Sequence, residues 1–289
     1  MTSKADPFIV DAQIHTSYTP GLPERPALNV RAGFMGRRTL SREMEIANVS
    51  RAVLVPAPGH AEESVQWAVE EPEKYTVMES LDLDVDPSVT LARVPEWKRP
   101  GVSGMRITFW GRTPRVDARN RNLLARDEMD WLWEASEAAR IPTMICAPTI
   151  LPVLAGVATR FPDLPIIVDH MGVIPGEYYE DFDEVLVDLL PLAAHPNIAV
   201  KVSALCRASQ EIYPFPRLHK PIEQVFDTFG PERTFWGSDL STLTIPYRDY
   251  VDLFLEELEF LHEPDKRLVM GEALCAWLDW PIDEGTSAP

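Results

Sequence analysis

Cysteine is scarce in this chain, and the three residues present, Cys146, Cys206 and Cys275, lie far apart. No C-x-x-C pair occurs among them, so neither a disulfide framework nor a cysteine-built metal cage is suggested. A reduced compartment follows, and the cytoplasm is the expected location. No apolar run reaches the length of a bilayer span, and Met1 to Pro7 lack the apolar stretch of a signal peptide. No G-x-G-x-x-G or G-x-x-x-x-G-K-[ST] follows a candidate strand, which leaves a nucleotide fold with little support. Basic residues are outnumbered 27 to 45, for a formal charge of -18. A surface of that sign repels phosphate backbones and anionic membranes, so no nucleic-acid or membrane partner is expected and a small molecule is.

What is present is apolar content of 45% in 289 residues, enough for a sizeable core. No internal boundary or repeat stands out. We read one domain over residues 1–289, with short flexible tails at about 1–7 and 282–289. The 27 prolines are scattered rather than in tracts and mark loop boundaries. Eight short apolar runs start near Phe8, Arg51, Tyr75, Gly101, Thr143, Pro165, Ile198 and Thr234. Helical patterns separate them: one starting at Thr39–Met44 with Thr39 or Ser41 as N-cap, then Ala61–Glu71, Ser88–Val94, Asp127–Arg140, Ile150–Arg160, Tyr179–Leu192 and Arg217–Phe229. Tyr247–Leu261 and Glu263–Trp280 finish the chain as helices. Long loops are expected over Tyr18–Arg38 and Gly111–Arg126. Strands alternating with helices predict a parallel sheet, and eight units of this length predict an α/β fold of the (β/α)8 TIM-barrel type. An open doubly wound sheet is the runner-up.

The strand ends carry the chemistry. In Phe8–His15, Gln13 and His15 are two apart and share a strand face, which at the carboxyl end of a barrel strand looks into the active site. The fourth strand ends at Arg106 and Thr108, the fifth at Cys146 and the sixth at Asp169-His170. The seventh ends at Lys201 and Ser203, with Arg207 just beyond, and the eighth at Ser238-Asp239. Polar and titratable groups thus converge on one rim. Gln13, Arg106, Thr108, Lys201, Ser203 and Arg207 are the candidate substrate-binding residues. Arg106 can clamp a carboxylate or form an ion pair inside the barrel, and Lys201 can serve the substrate or pair with Asp169 or Asp239. Trp110, Tyr18 and Trp236 are candidates for an aromatic wall, against the plainer reading as core. Cys146 has no base beside it and reads as a small buried residue.

The ordered set Val10-Asp-Ala-Gln-Ile-His15, Val168-Asp-His-Met-Gly172, Lys201-Val-Ser203 and Trp236-Gly-Ser-Asp239 resembles the amidohydrolase superfamily. More narrowly it resembles the branch of sugar-lactone hydrolases and 2-pyrone-4,6-dicarboxylate lactonase. The resemblance runs from about Phe8 to Trp280 and implies a (β/α)8 barrel that hydrolyses a small cyclic ester, carboxylated or ring-oxygenated. It makes Asp239 the general base, with His15 and His170 polarising the carbonyl or passing a proton to the leaving alkoxide. Metal-dependent relatives carry His-x-His on the first strand, where this chain has Gln13. A glutamine carbonyl is a poor ligand for a catalytic cation, so no cofactor is expected. The alternative is one divalent metal, Zn or Mn, on His15, His170 and Asp239, serving an amide hydrolase or a non-oxidative decarboxylase. A further alternative is an inactive barrel that binds a ligand. A homo-oligomer is implied by the resemblance alone.

Overall fold

All eight apolar runs form strands: β1 (Val10–Thr16), β2 (Arg51–Pro56), β3 (Tyr75–Ser80), β4 (Val102–Thr108), β5 (Thr143–Cys146), β6 (Ile166–Val168), β7 (Ile198–Ser203) and β8 (Thr234–Gly237). This computed structural model describes residues 7–16, 36–57, 59–110, 119, 122–124, 127–174 and 177–282. Each strand pairs in parallel with the next, in the order β1 to β8. Sequential order with helices between rules out the doubly wound alternative and gives a nearly closed (β/α)8 barrel. Every residue of β2 and of β7 is buried, because the barrel interior covers one face and helices cover the other. No helix among the described residues is long and apolar enough to cross a membrane.

Two apolar layers result. Val10, Val53, Met78, Met144, Ile167, Ala199 and Phe235 fill the inside of the barrel. The last described segment closes its amino-terminal end, where Leu274, Leu278 and Trp280 join the same cluster. Trp280 Nε1 donates to the Pro72 carbonyl at 2.8 Å, and Arg51 donates to that of Pro281 at 2.7 Å. The run expected as one helix from Glu263 to Trp280 is broken here into Glu263–Arg267, a wide turn at Leu268–Glu272 and Ala273–Trp277. Gly271 explains the break: a Cβ there would lie 2.7 Å from Val10 Cγ2, so the chain passes under β1 at a distance only glycine allows.

Other local expectations shift for similar reasons. The helix near Thr39 begins at Arg37 with Gly36 as its cap, and Ser41 bonds the Tyr75 hydroxyl at 2.8 Å instead of capping. The expected Asp127–Arg140 helix covers Asp130–Ala138, since Asp127 is left-handed. Tyr179–Leu192 reduces to a helix at Asp183–Leu189 plus a tight turn through Ala194. The helix expected to Leu261 changes to a π turn at Leu253–Glu257. Most of the Tyr18–Arg38 and Gly111–Arg126 stretches, and the tails 1–6 and 283–289, lie outside the described residues.

The register of β1 shifts between Asp11, opposite Ala52, and Ile14, opposite Leu54. One extra residue is accommodated, as in a β-bulge. Val10 and Ala12 face the interior before it. After it, Ile14 packs in the outer layer, and Gln13 and His15 meet inside the mouth at 3.0 Å. The barrel closes at a seam between β8 and β1. Asp239 N–H donates to the Gln13 carbonyl at 3.0 Å. The buried Asp11 carboxylate accepts from Ser238 N–H at 2.9 Å, Gln13 N–H at 3.0 Å, the Tyr247 hydroxyl at 2.6 Å and the Ser238 hydroxyl. A Cβ on Gly237 would sit 3.0 Å from that of Ala12, so glycine lets the two strands approach. Asp11→Ala strands two buried backbone donors and is expected to cost at least about 2 kcal/mol in denaturant unfolding, whereas Gly271→Ala is expected to lower the midpoint through overpacking alone, by about 1–3 kcal/mol.

Candidate active site

Three strand ends turn sharply into the barrel mouth. His170 follows β6 with φ 54°, Ala204 follows β7 with φ 59° and Asp239 follows β8 with φ 51°. A left-handed non-glycine residue is uncommon and costs free energy, and such outliers cluster at functional sites. Here the turn brings the side chains of His170 and Asp239 towards those of β1.

The centre of the site is a buried charge network. Asp169 lies between two cations, with its carboxylate 2.7 Å from Lys201 Nζ and 2.7 Å from Arg106 Nε. Arg106 also donates to the Thr108 hydroxyl at 3.0 Å. Burial opposes the charge on Asp169, yet Lys201, Arg106 and His170 hold it well below the usual carboxylate range. Lys201 is fully buried; burial lowers its pKa while Asp169 opposes that shift. Its ammonium reaches the Gln13 carbonyl oxygen and touches Met144 Sδ at 3.4 Å.

Gln13 carries the network to the histidines. Its carboxamide nitrogen is 3.0 Å from His15 Nε2 and 3.3 Å from His170 Nε2. His15 Nδ1 faces the Val55 carbonyl at 3.0 Å, and His170 Nδ1 faces the Ser203 hydroxyl at 2.8 Å. Burial pushes both imidazoles down, His170 to about 3, so each is neutral near pH 7. His15 Nε2 is 3.5 Å from Asp239 Oδ1. The other Asp239 oxygen accepts from the Thr242 hydroxyl at 3.0 Å and faces Arg207 Nη1 at 3.5 Å. Burial works against the Asp239 carboxylate, but the two imidazoles, Arg207 and Thr242 hold it at about 2. Asp239 Oδ1 is buried without a hydrogen-bond partner among the described residues, as is Arg207 Nε.

All nine predicted residues therefore share one mouth. Arg106 and Lys201 take the ion-pair alternative on Asp169. Trp236 faces away, stacked on Tyr247 at 6.3 Å and 12° in the outer layer, so it forms no wall of the pocket. Tyr18 lies outside the described residues. Cys146 is buried, and burial pushes its thiol up to about 11, which agrees with an inert role. Sequence reasoning missed Asp11, Tyr247 and Thr242. Asp11 had a signal: a charged residue inside a buried apolar strand must have partners.

The amidohydrolase profile matches residues 10–273, which takes in every strand and every residue of this mouth. The chain belongs to the amidohydrolase family. A curated relative, an L-fucono-1,5-lactonase of Burkholderia ambifaria, is 29% identical over 182 residues, covering 60% of this amidohydrolase and 56% of that protein. The chain thus spans little more than half the length of the curated relative it matches. Among solved structures, an amidohydrolase of Burkholderia multivorans with bound zinc superposes with TM-score 0.76 at 19% identity, covering 95% of this chain and 100% of that one. A Pseudomonas putida protein named as a 2-pyrone-4,6-dicarboxylic acid hydrolase gives TM-score 0.73 at 20% identity, covering 96% and 99%. At these identities the likeness is one of fold.

Lys201→Met in this amidohydrolase leaves Asp169 buried with Arg106 as its remaining cation. The expected loss is about 3–5 kcal/mol in denaturant unfolding, and adding Asp169→Asn is expected to recover part of it.

Proposed function

We propose that this amidohydrolase is a lactone hydrolase that opens a small cyclic ester bearing a carboxylate or ring hydroxyls. The observation that carries the reading is Asp239 Oδ1. It is a buried, ionised acceptor with no hydrogen-bond partner among the described residues, 3.5 Å from an imidazole nitrogen. Such an oxygen is suited to take a proton from attacking water. In the proposed reaction the water oxygen bonds to the ester carbonyl carbon as Asp239 accepts its proton. The ring C–O bond then breaks, and the proton reaches the leaving oxygen by way of His15. The product is a hydroxy acid, which at neutral pH releases one proton to solvent.

Carbonyl polarisation by the imidazoles needs an N–H at Nε2. Both Nε2 atoms instead face the Gln13 amide nitrogen, so neither offers that N–H, and a relay through His15 requires its Nε2 to exchange the Gln13 hydrogen bond for the proton from Asp239, 3.5 Å away. Arg106 and Arg207 supply N–H groups at the rim for the developing oxyanion. Three cations against two carboxylates leave the mouth net positive with neutral imidazoles, which suits an anionic substrate in an otherwise acidic chain. The lactonase and pyrone-dicarboxylate relatives support a cyclic ester of this kind. Amide hydrolysis and non-oxidative decarboxylation are the less favoured readings, since a divalent ion would have to share the space filled by Gln13.

Proton release in weak buffer, measured against a panel of lactones, pyrones, cyclic imides and aromatic acids, tests the class of reaction. Turnover of a carboxylated or hydroxylated lactone is expected, lowered by about 10²–10⁴-fold in Asp239→Asn; turnover of imides or aromatic acids alone would overturn the reading. The pH profile adds a second check. Asp239, held at about 2, and His170, at about 3, stay in their basic forms as pH falls from 8 to 5, so neither of these two gives kcat/KM an acid limb in that window. Asp11, pushed by burial up to about 6, titrates inside it, and Asp11→Asn is the control that removes its inflection.

A further inference from the structure

Two imidazole nitrogens converge on one atom, the Gln13 carboxamide nitrogen, at 3.0 and 3.3 Å. The proton positions follow from the partners. Lys201 can only donate, so the Gln13 atom it touches is the carbonyl oxygen, and the amide nitrogen faces the imidazoles. The Val55 carbonyl can only accept, so His15 Nδ1, 3.0 Å away, bears a proton. A carboxamide nitrogen has two hydrogens and no lone pair to offer. His15 Nε2 therefore accepts one hydrogen and His170 Nε2 the other. His170 Nδ1 is left as the N–H, and it donates to the Ser203 hydroxyl at 2.8 Å. Both Gln13 amide hydrogens are used, one by each ring, and its oxygen accepts from Lys201.

We propose that the Gln13 carboxamide takes the place of a catalytic cation, as a fixed peg that holds both imidazoles in the Nδ1–H tautomer. A divalent ion would need the same two Nε2 lone pairs, and the amide nitrogen cannot ligate it. It would also add two positive charges beside Lys201, Arg106 and Arg207, which already exceed the carboxylates at the mouth. Among the described residues no three His, Cys, Asp or Glu side chains form a metal-holding group. His15, His170 and Asp239 thus do not fit an ion while Gln13 stands between them. Gln13 is a positioning residue, since it acts by fixing where the two rings carry their protons. The inference holds whichever substrate the mouth takes.

Two measurements on the full chain test it without substrate. In the first, wild type and Gln13→His are loaded with zinc, dialysed against metal-free buffer and assayed for bound metal. Wild type is expected to retain far less than one zinc per chain, and Gln13→His about one, on His15, His170, Asp239 and the new imidazole. In the second, ¹⁵N NMR of the imidazoles reads the tautomers. Wild-type His15 and His170 are expected as Nδ1–H. Gln13→Glu presents only acceptors to the rings, so both are expected to gain a proton at Nε2. Zinc retained by wild type at about one per chain overturns the proposal, as does an Nε2–H tautomer in wild type or an unchanged spectrum in Gln13→Glu. If Gln13→His fails to fold, the wild-type spectrum and zinc content still decide.

Discussion

The mouth of this barrel depends on one requirement: a carboxylate at Asp169, with its side chain wholly out of water, must be compensated. An unpaired buried charge costs several kcal/mol, so cations must be held against it. Lys201 does this from the adjacent β7 and Arg106 from β4, two strands away on the other side, both at 2.7 Å. An ammonium has three hydrogens, and the Asp169 bond uses one. A second goes to the Gln13 oxygen, which fixes the direction of the carboxamide. From there the order passes to the two imidazoles, and His15 Nε2 lies 3.5 Å from Asp239 Oδ1. The imidazoles of the proposed site are thus oriented by a charge pair that need not touch a substrate.

Geometry is imposed from the other side by the seam. The Asp11 carboxylate ties β1 to the segment after β8 and to Tyr247, and the main chain of Asp239 is bonded to that of Gln13. His15 and Asp239 are consequently referenced to the same short stretch of backbone. Their 3.5 Å separation is a property of barrel closure rather than of two independent loops. Sites built on rigid elements hold such distances better than sites built on loops. The bulge in β1 matters for the same reason: it turns Gln13 inward without moving Val10 and Ala12 out of the core.

The barrel was legible because apolar runs and helical patterns alternate with little ambiguity, and the rim residues were legible because they follow those runs directly. The register shift in β1 was not, since alternation alone cannot reveal an inserted residue. The breaks near Gly271 and Leu253 depend on what lies across the contact, here Val10 beneath Gly271, and a sequence pattern records only one side of a contact. Ser41 reads as a cap and spends its hydroxyl on Tyr75. Trp236 reads as either pocket wall or core, and parity on β8 decides for core by sending it outward, while Phe235 faces in. Asp11 went unassigned because its partners across the seam, Ser238 and Tyr247, lie more than 200 positions away in the chain.

On the proposed reading, Gln13 also constrains the chemistry. A metal ion polarises a carbonyl strongly, whereas hydrogen bonds from guanidinium groups do so more gently. A site working by N–H donors and a carboxylate base suits a substrate whose leaving oxygen is already stabilised, as in a lactone with an enolic or otherwise activated ring oxygen. An unactivated amide would ask more of the mouth than Arg106, Arg207 and His15 are placed to give. On the proposed reading, the glutamine on the first strand therefore narrows the range of bonds open to this barrel.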